Sequence, residues 1–222
     1  MSDWNSLQER IDSCDECKKL GCGLIVSSKT PPSRPPCPKG GEILFISEAP
    51  SREGGFWASP SVKDGLREKL FEILRKKNIP LPEPHTKSSL VAFASQNFFL
   101  IQTIKWPLRQ SARTLRTAEC CLIKHSVASH ITQELKIIRP SAIIPLGKVA
   151  CYACGCLFRT HGFAFDRRAR LEDVRGKSFS VEIGHGCIPV YPTGLPVPRR
   201  AKHIPQICKE IKNALENHWH SK

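Results

Sequence analysis

Directly after the apolar run EILFI comes SEAPSREGGFW, residues 47–57, which crowds two carboxylates (Glu48 and Glu53), a proline, two glycines and an aromatic pair (Phe56 and Trp57) into one short stretch. Carboxylates can hold a water or offset a developing positive charge, and aromatic rings can pack a flat ligand. A second set of chemically able groups is the thiols: eleven cysteines, an odd count, with short clusters such as CDECKKLGC and CYACGC. In a reducing compartment such clusters point to free thiols or metal ligands over a disulfide framework, with small buried hydrophobes as the plain alternative. The third set is basic. Thirty-four Lys plus Arg against 20 Asp plus Glu give a formal charge of +14, which suits a polyanionic partner, nucleic acid ahead of an anionic membrane surface.

These groups need elements to position them. Ile43, Leu44, Phe45, Ile46 and Ala49 form the near-continuous run of a strand covered on both faces, over residues 42–48. The acid, proline and aromatics therefore follow at its carboxyl end, the edge where open α/β sheets bind ligands. Leu66, Leu70, Ile73 and Leu74 mark one face of the next helix and its Lys and Arg residues the other. FFLIQTIKW from Phe98 reads as a second buried strand, followed by a basic connector with Lys105, Arg109, Arg113 and Arg116. A helix with the stripe Ile123, Val127, Ile131, Leu135 and Ile138 stops at Pro140, SAIIPLG is a third strand, and Gly147 opens a helix through KVACYAC. A charged loop, a last strand around CIPVYPT and a C-terminal helix with Ile204, Ile207, Ile211 and Leu215 complete the chain. This alternation predicts a parallel α/β sandwich.

At 222 residues the chain can bury a core without help from a metal or disulfide. We expect one α/β domain over 41–222, with residues 1–40 forming an N-terminal helix, carrying Leu7 and Ile11, and a Cys/Pro-rich segment packed on it. Residues 31–38 hold five prolines, which makes that segment an extended loop. No apolar run approaches the roughly 18 residues of a spanning helix, and the polar, acidic start MSDWNSLQERIDSC is unlike a secretory signal. A cytoplasmic, nucleoid-associated monomer is the expectation.

The order of the pieces resembles the uracil-DNA glycosylase superfamily, and within it the iron–sulfur-containing microbial branch. The resemblance rests on CDEC at 14–17, ISEAPS at 46–51, GGFW at 54–57, LIQTIKWP at 100–107, ECC at 119–121, IRPSAIIPLGKVA at 138–150 and YPTGLPVPRR at 191–200, in one order along most of the chain. It implies a three-layer α/β sandwich with a central four-stranded, mainly parallel sheet, and an enzyme that flips a damaged base out of DNA and hydrolyses its N-glycosidic bond in base excision repair. The substrate would be double- or single-stranded DNA carrying a deaminated base such as uracil or hypoxanthine. By position, Glu48 and Ala49 would line the base pocket, Phe56 or Trp57 would stack on the ring and Gln102 would read its edge. Glu53 would orient the water, with Glu48 as the alternative. Thr193 in the YPTGLP loop, with Arg199, Arg200 and Lys202 at the start of the last helix, would contact phosphates through charge and helix N-terminal amides. Arg109, Arg113 and Arg116 form a further basic strip.

Departures from the pattern are informative. Gln102 stands where the strand ordinarily carries Asn, so the same base could not sit in the same place. Leu195 occupies the position of the usual His, leaving His185 and His203 as stand-ins. Cys14, Cys17 and Cys121 supply three thiolates of a 4Fe–4S cluster, but Trp106 replaces the remaining one. Cys22, Cys37 or Cys120 is the candidate fourth ligand, and zinc on the same thiols or no metal at all are the alternatives. Cys151, Cys154 and Cys156 read as packing thiols. The competing reading is a catalytically weak or inactive nucleic-acid-binding protein of the same fold, metal- or redox-dependent.

Overall fold

A computed structural model describes residues 3–26, 34–86, 88–112, 114–159, 161–184 and 186–220, without the side chains at 199–201 and 220. Arg113, His185 and the side chains of Arg199 and Arg200 thus lie outside the described residues.

The apolar runs become the sheet's centre. Strands β1 (Ile43–Ser47), β2 (Phe98–Gln102) and β3 (Ala142–Pro145) are buried along their whole length. β1 pairs in parallel with both of the others, Ser47 facing Gln102 at one end and Ile43 facing Ala142 at the other. β5 (Gly186–Val190) joins β3 in parallel, and β4 (Phe179–Ile183) closes the edge antiparallel to β5. The sheet has five strands in the order β2-β1-β3-β5-β4, one more than the four expected. The extra strand escapes the sequence reading because only Val181 of its five residues is buried. An edge hairpin half in solvent lacks the continuous apolar run that marks the interior strands.

Helices cover both faces: α1 (Asp3–Asp12), α2 (Asp15–Leu20), α3 (Gly65–Arg75), α4 (Ser89–Ser95), α5 (Thr117–Ser126), α6 (Thr132–Ile138), α7 (Lys148–Phe158) and α8 (Ile204–His220). α1 docks through Trp4, whose ring meets Phe99 edge-on at 5.6 Å. The stripe from Ile123 to Ile138 is buried as its spacing predicts, but it does not run on one continuous α-helix. Residues Val127–Ile131 form a π-helical turn between α5 and α6, with Thr132 Oγ1 donating to the Val127 carbonyl at 2.8 Å. Arg139 then ends α6 in the left-handed region at φ 47°, one residue before Pro140.

Two cations expected on the surface are inside. Lys105, in the basic connector, is buried and paired with the equally buried Glu134. Arg67, on the basic face of α3, is fully buried. Its guanidinium donates to the carbonyls of Phe56 (3.1 Å), Ala58 (2.9 Å) and Val62, fastening the loop before α3.

Candidate functional site

The carboxyl end of β1 opens into a cavity of about 490 Å³, a size that suits a small organic ligand. Ser47, Glu48 and Ala49 enter it from the end of β1, Asp64 from the start of α3, and Leu195 and Pro198 from the segment before α8. Arg109, Gln110 and Ser111 form the facing wall. Glu48 is held in place: its carboxylate accepts from Ser111 Oγ at 2.9 Å and from the Ala112 backbone N–H at 2.6 Å.

Asp64, which sequence reasoning missed, is the second carboxyl in the cavity wall. It is the N-cap of α3, accepting from the Arg67 N–H at 2.8 Å, and it is only 5% exposed. Burial raises its pKa above the ordinary aspartate value, opposed by the Arg67 amide and guanidinium. The sequence signal was available: Asp followed two residues later by the start of an apolar helical stripe, at Leu66, is an N-cap pattern. Its aim into the cavity was not.

Glu53 does not join this pair; it lies exposed on the turn after Pro50. Phe56 and Trp57 do not line the cavity either. Phe56 is fully buried among Phe71, Phe93 and Trp57, and the Trp57 indole donates to the Leu100 carbonyl at 2.8 Å. Adjacent aromatics on a loop between a strand and a helix are drawn into the core because there they bury the most apolar surface. Gln102, at the end of β2, is brought against the loop. A Cβ on Gly55, which has φ 78°, would stand 2.9 Å from Gln102 Nε2 and 2.7 Å from Pro50 Cβ, so this close approach requires glycine.

Thr193 is buried, and its hydroxyl donates to the Gly194 carbonyl at 3.2 Å. Lys202 and His203 are exposed in the helical turn Pro198–His203 that also holds Arg199 and Arg200. Arg52 and Arg109 stand at the cavity, with Arg52 donating to the Arg109 carbonyl at 2.9 Å.

The metal-ligand expectation is met in part and redirected. Cys14 and Cys17 lie together, but the groups that join them are His125 and His130, all four ligand atoms being within 4.8 Å of one another. Cys14 Sγ is 3.4 Å from His125 Nε2, and Cys17 Sγ is 3.4 Å from His130 Nε2. Cys121, one helical turn before His125, is exposed and outside this group, as are Cys22 and Cys37. Cys120 is buried and donates to the Leu115 carbonyl. Trp106 is buried, and Lys18 of α2 sits 5.5 Å above its ring. The Cys17 thiol is pushed up to about 12 by burial and by Cys14 beside it, and burial pulls His130 down to about 4, with Lys105 and His125 adding repulsion. The four side chains can bind a metal. The two His were missed because a separation of five residues is unremarkable in an α-helix and becomes a ligand spacing only through the π-helical turn.

All eleven cysteines are free. Cys151 and Cys154 are fully buried with pKa values raised by that burial, as packing thiols should be.

A profile described as the uracil DNA glycosylase superfamily matches residues 35–216. The chain belongs to that superfamily. Superfamily members are usually DNA N-glycosylases, and membership implies DNA binding. No curated protein matches the chain. The match begins after Cys14 and Cys17, so half of the metal-ligand group lies outside the region that carries the superfamily signature. A 4Fe–4S cluster ordinarily calls for four thiolates; the group here offers two thiols and two imidazoles. No helix among the described residues is long and apolar enough to cross a membrane.

Proposed function

We propose that this superfamily member is a DNA glycosylase that takes a flipped, deaminated base into the cavity at the end of β1 and hydrolyses its N-glycosidic bond, acting as a monomer in the cytoplasm. The observation that carries the reading is the pair of carboxyl groups, Glu48 and Asp64, brought into one cavity by two different elements. Base excision needs an oriented water, an offset for the oxocarbenium-like sugar and a means of stabilising the departing base. Glu48, fixed by two hydrogen bonds, suits the first two roles. Asp64, whose proton affinity burial raises, suits proton donation to the leaving base. The proton would go from Asp64 to a ring nitrogen of the base as the bond to the sugar breaks, and Glu48 would steer the incoming water to the anomeric carbon and accept the proton that water gives up.

Leu195 lines the cavity where the usual His would stand, so an anionic leaving base lacks that donor. A purine such as hypoxanthine, which can leave protonated, suits the site better than uracil. Gln102 would read the base edge from beside Gly55 and Pro50. Ala49 supplies the cavity floor. Phe56 and Trp57 support it from the core, and Arg52, Arg109 and Lys202, with Arg199 and Arg200, are the phosphate contacts.

Single- and double-stranded oligonucleotides bearing uracil, hypoxanthine or xanthine, treated with alkali after incubation, test the reading. Expected is strand cleavage at hypoxanthine that Glu48→Gln and Asp64→Asn each lower by about a hundredfold or more. Leu195 also favours a second reading, a protein of the same fold that binds altered DNA without cutting it. Tight, salt-sensitive binding with no abasic product on any lesion would establish that reading and overturn the first.

A further inference from the structure

We propose that Cys14, Cys17, His125 and His130 form a closed, mononuclear zinc site, in place of a four-thiolate iron–sulfur cluster, and that this site fastens the wall of the DNA cavity.

The geometry points to one ion. A tetrahedral zinc with Zn–S near 2.3 Å and Zn–N near 2.0 Å places its ligand atoms ~3.3–3.8 Å from one another. Cys14 Sγ and His125 Nε2 are 3.4 Å apart, as are Cys17 Sγ and His130 Nε2, and all four ligand atoms lie within 4.8 Å of one another. A cubane cluster has a wider cage and wants thiolate at every corner. Two imidazoles and two thiols are the Cys2His2 set of structural zinc. Four protein ligands leave no open position for substrate, so the role is structural.

Local structure prepares the ligands. Cys14 is the N-cap of α2 and accepts from the Cys17 N–H at 3.4 Å, which turns both sulfurs to one side. On the other side, an α-helix would rotate a residue five positions on by about 140°. The i→i+5 turn at Val127–Ile131 removes most of that rotation, bringing the two imidazoles to 5.7 Å between centroids, edge to face. Such bulges recur at functional sites.

The consequence reaches the cavity through backbone hydrogen bonds. α2 leads into residues 24–26, which pair with 107–109: Val26 N–H donates to the Pro107 carbonyl at 2.8 Å, Arg109 N–H to the Leu24 carbonyl at 2.8 Å, and Arg109 Nε to the Ile25 carbonyl at 3.2 Å. Residues 109–111 are the cavity wall, and Ser111 and Ala112 hold Glu48. A metal that pins α2 onto α5 therefore holds the wall in register.

The test uses the full chain, produced untagged in medium containing both iron and zinc. Expected are a colourless protein with about one zinc per chain, no acid-labile sulfide, and, after exchange with cobalt(II), the intense visible bands of a tetrahedral thiolate-bound ion. His130→Cys should keep one metal and strengthen the sulfur-to-cobalt charge-transfer band, reporting three thiolates. Cys121→Ser should change nothing, whereas it would empty a cluster that used Cys121. Chelation should speed amide hydrogen exchange at 24–26 and 107–112 ahead of the central strands. A brown protein with iron and sulfide in near-equal amounts, or a metal-free protein whose exchange is unaffected by chelator, would overturn the proposal. Each readout is independent of glycosylase activity.

Discussion

Asp64 is the residue whose two roles can be pulled apart. As an N-cap, Asn serves about as well as Asp, so Asp64→Asn should keep α3 intact. The folded-state pKa of Asp64 is raised, so its contribution to stability is greatest below the ordinary aspartate value and is lost as pH rises through the raised one. At neutral pH Asp64→Asn should therefore unfold at the same or a higher temperature, because the amide carries no buried charge to desolvate. That advantage should vanish in acid, where the wild-type carboxyl is neutral too. Thermal melts between pH 3 and 8 check this. A neutral or stabilising substitution that abolishes base release identifies a functional carboxyl; one that simply unfolds the chain identifies a structural cap.

At the scale of elements, the loop between β1 and α3 is held from both ends. Arg67 ties its carbonyls from inside, and Gly55 lets it close on Gln102 and Pro50. Arg67→Ala leaves several buried carbonyls without donors, each costing ~1 kcal/mol or more. We expect a loss of about 3 kcal/mol in urea unfolding, with proteolytic cleavage moving into residues 52–62. Gly55→Ala meets backbone strain and two contacts below 3.0 Å at once. It should cost ~1–2 kcal/mol, and base release should fall more than DNA affinity, since the site and not the basic surface is disturbed.

For the whole molecule, the excess of basic residues over acidic ones should make DNA affinity fall steeply with salt. Each phosphate contact removed lowers the slope of log K against log salt by about 0.9. Lys202→Ala and Arg52→Ala should each reduce that slope by about one, for lesion-bearing and undamaged duplexes alike, when binding is followed by fluorescence anisotropy. Glu48→Gln and Asp64→Asn should leave the slope unchanged, because neither carboxyl faces a phosphate in the proposed complex.

The sequence by itself determined the α/β class, the three interior strands and the position of the cavity. Those depend on runs of local apolar residues and on the rule that ligands meet a parallel sheet at its carboxyl edge. It also set Glu48 and Ala49 just after β1 and Cys14 beside Cys17, because each is fixed by its immediate neighbours. Only the tertiary structure decided the rest. Phe56 and Trp57 lie in the core, Thr193 is buried and Glu53 is exposed, since burial is set by what packs from elsewhere in the chain. Asp64 reaches the cavity because the fold brings the start of α3 to the same opening as the end of β1, and His125 and His130 meet two thiols more than a hundred positions away because a π-helical turn realigns them. A ligand set assembled across that distance leaves no spacing to read; the fold creates it.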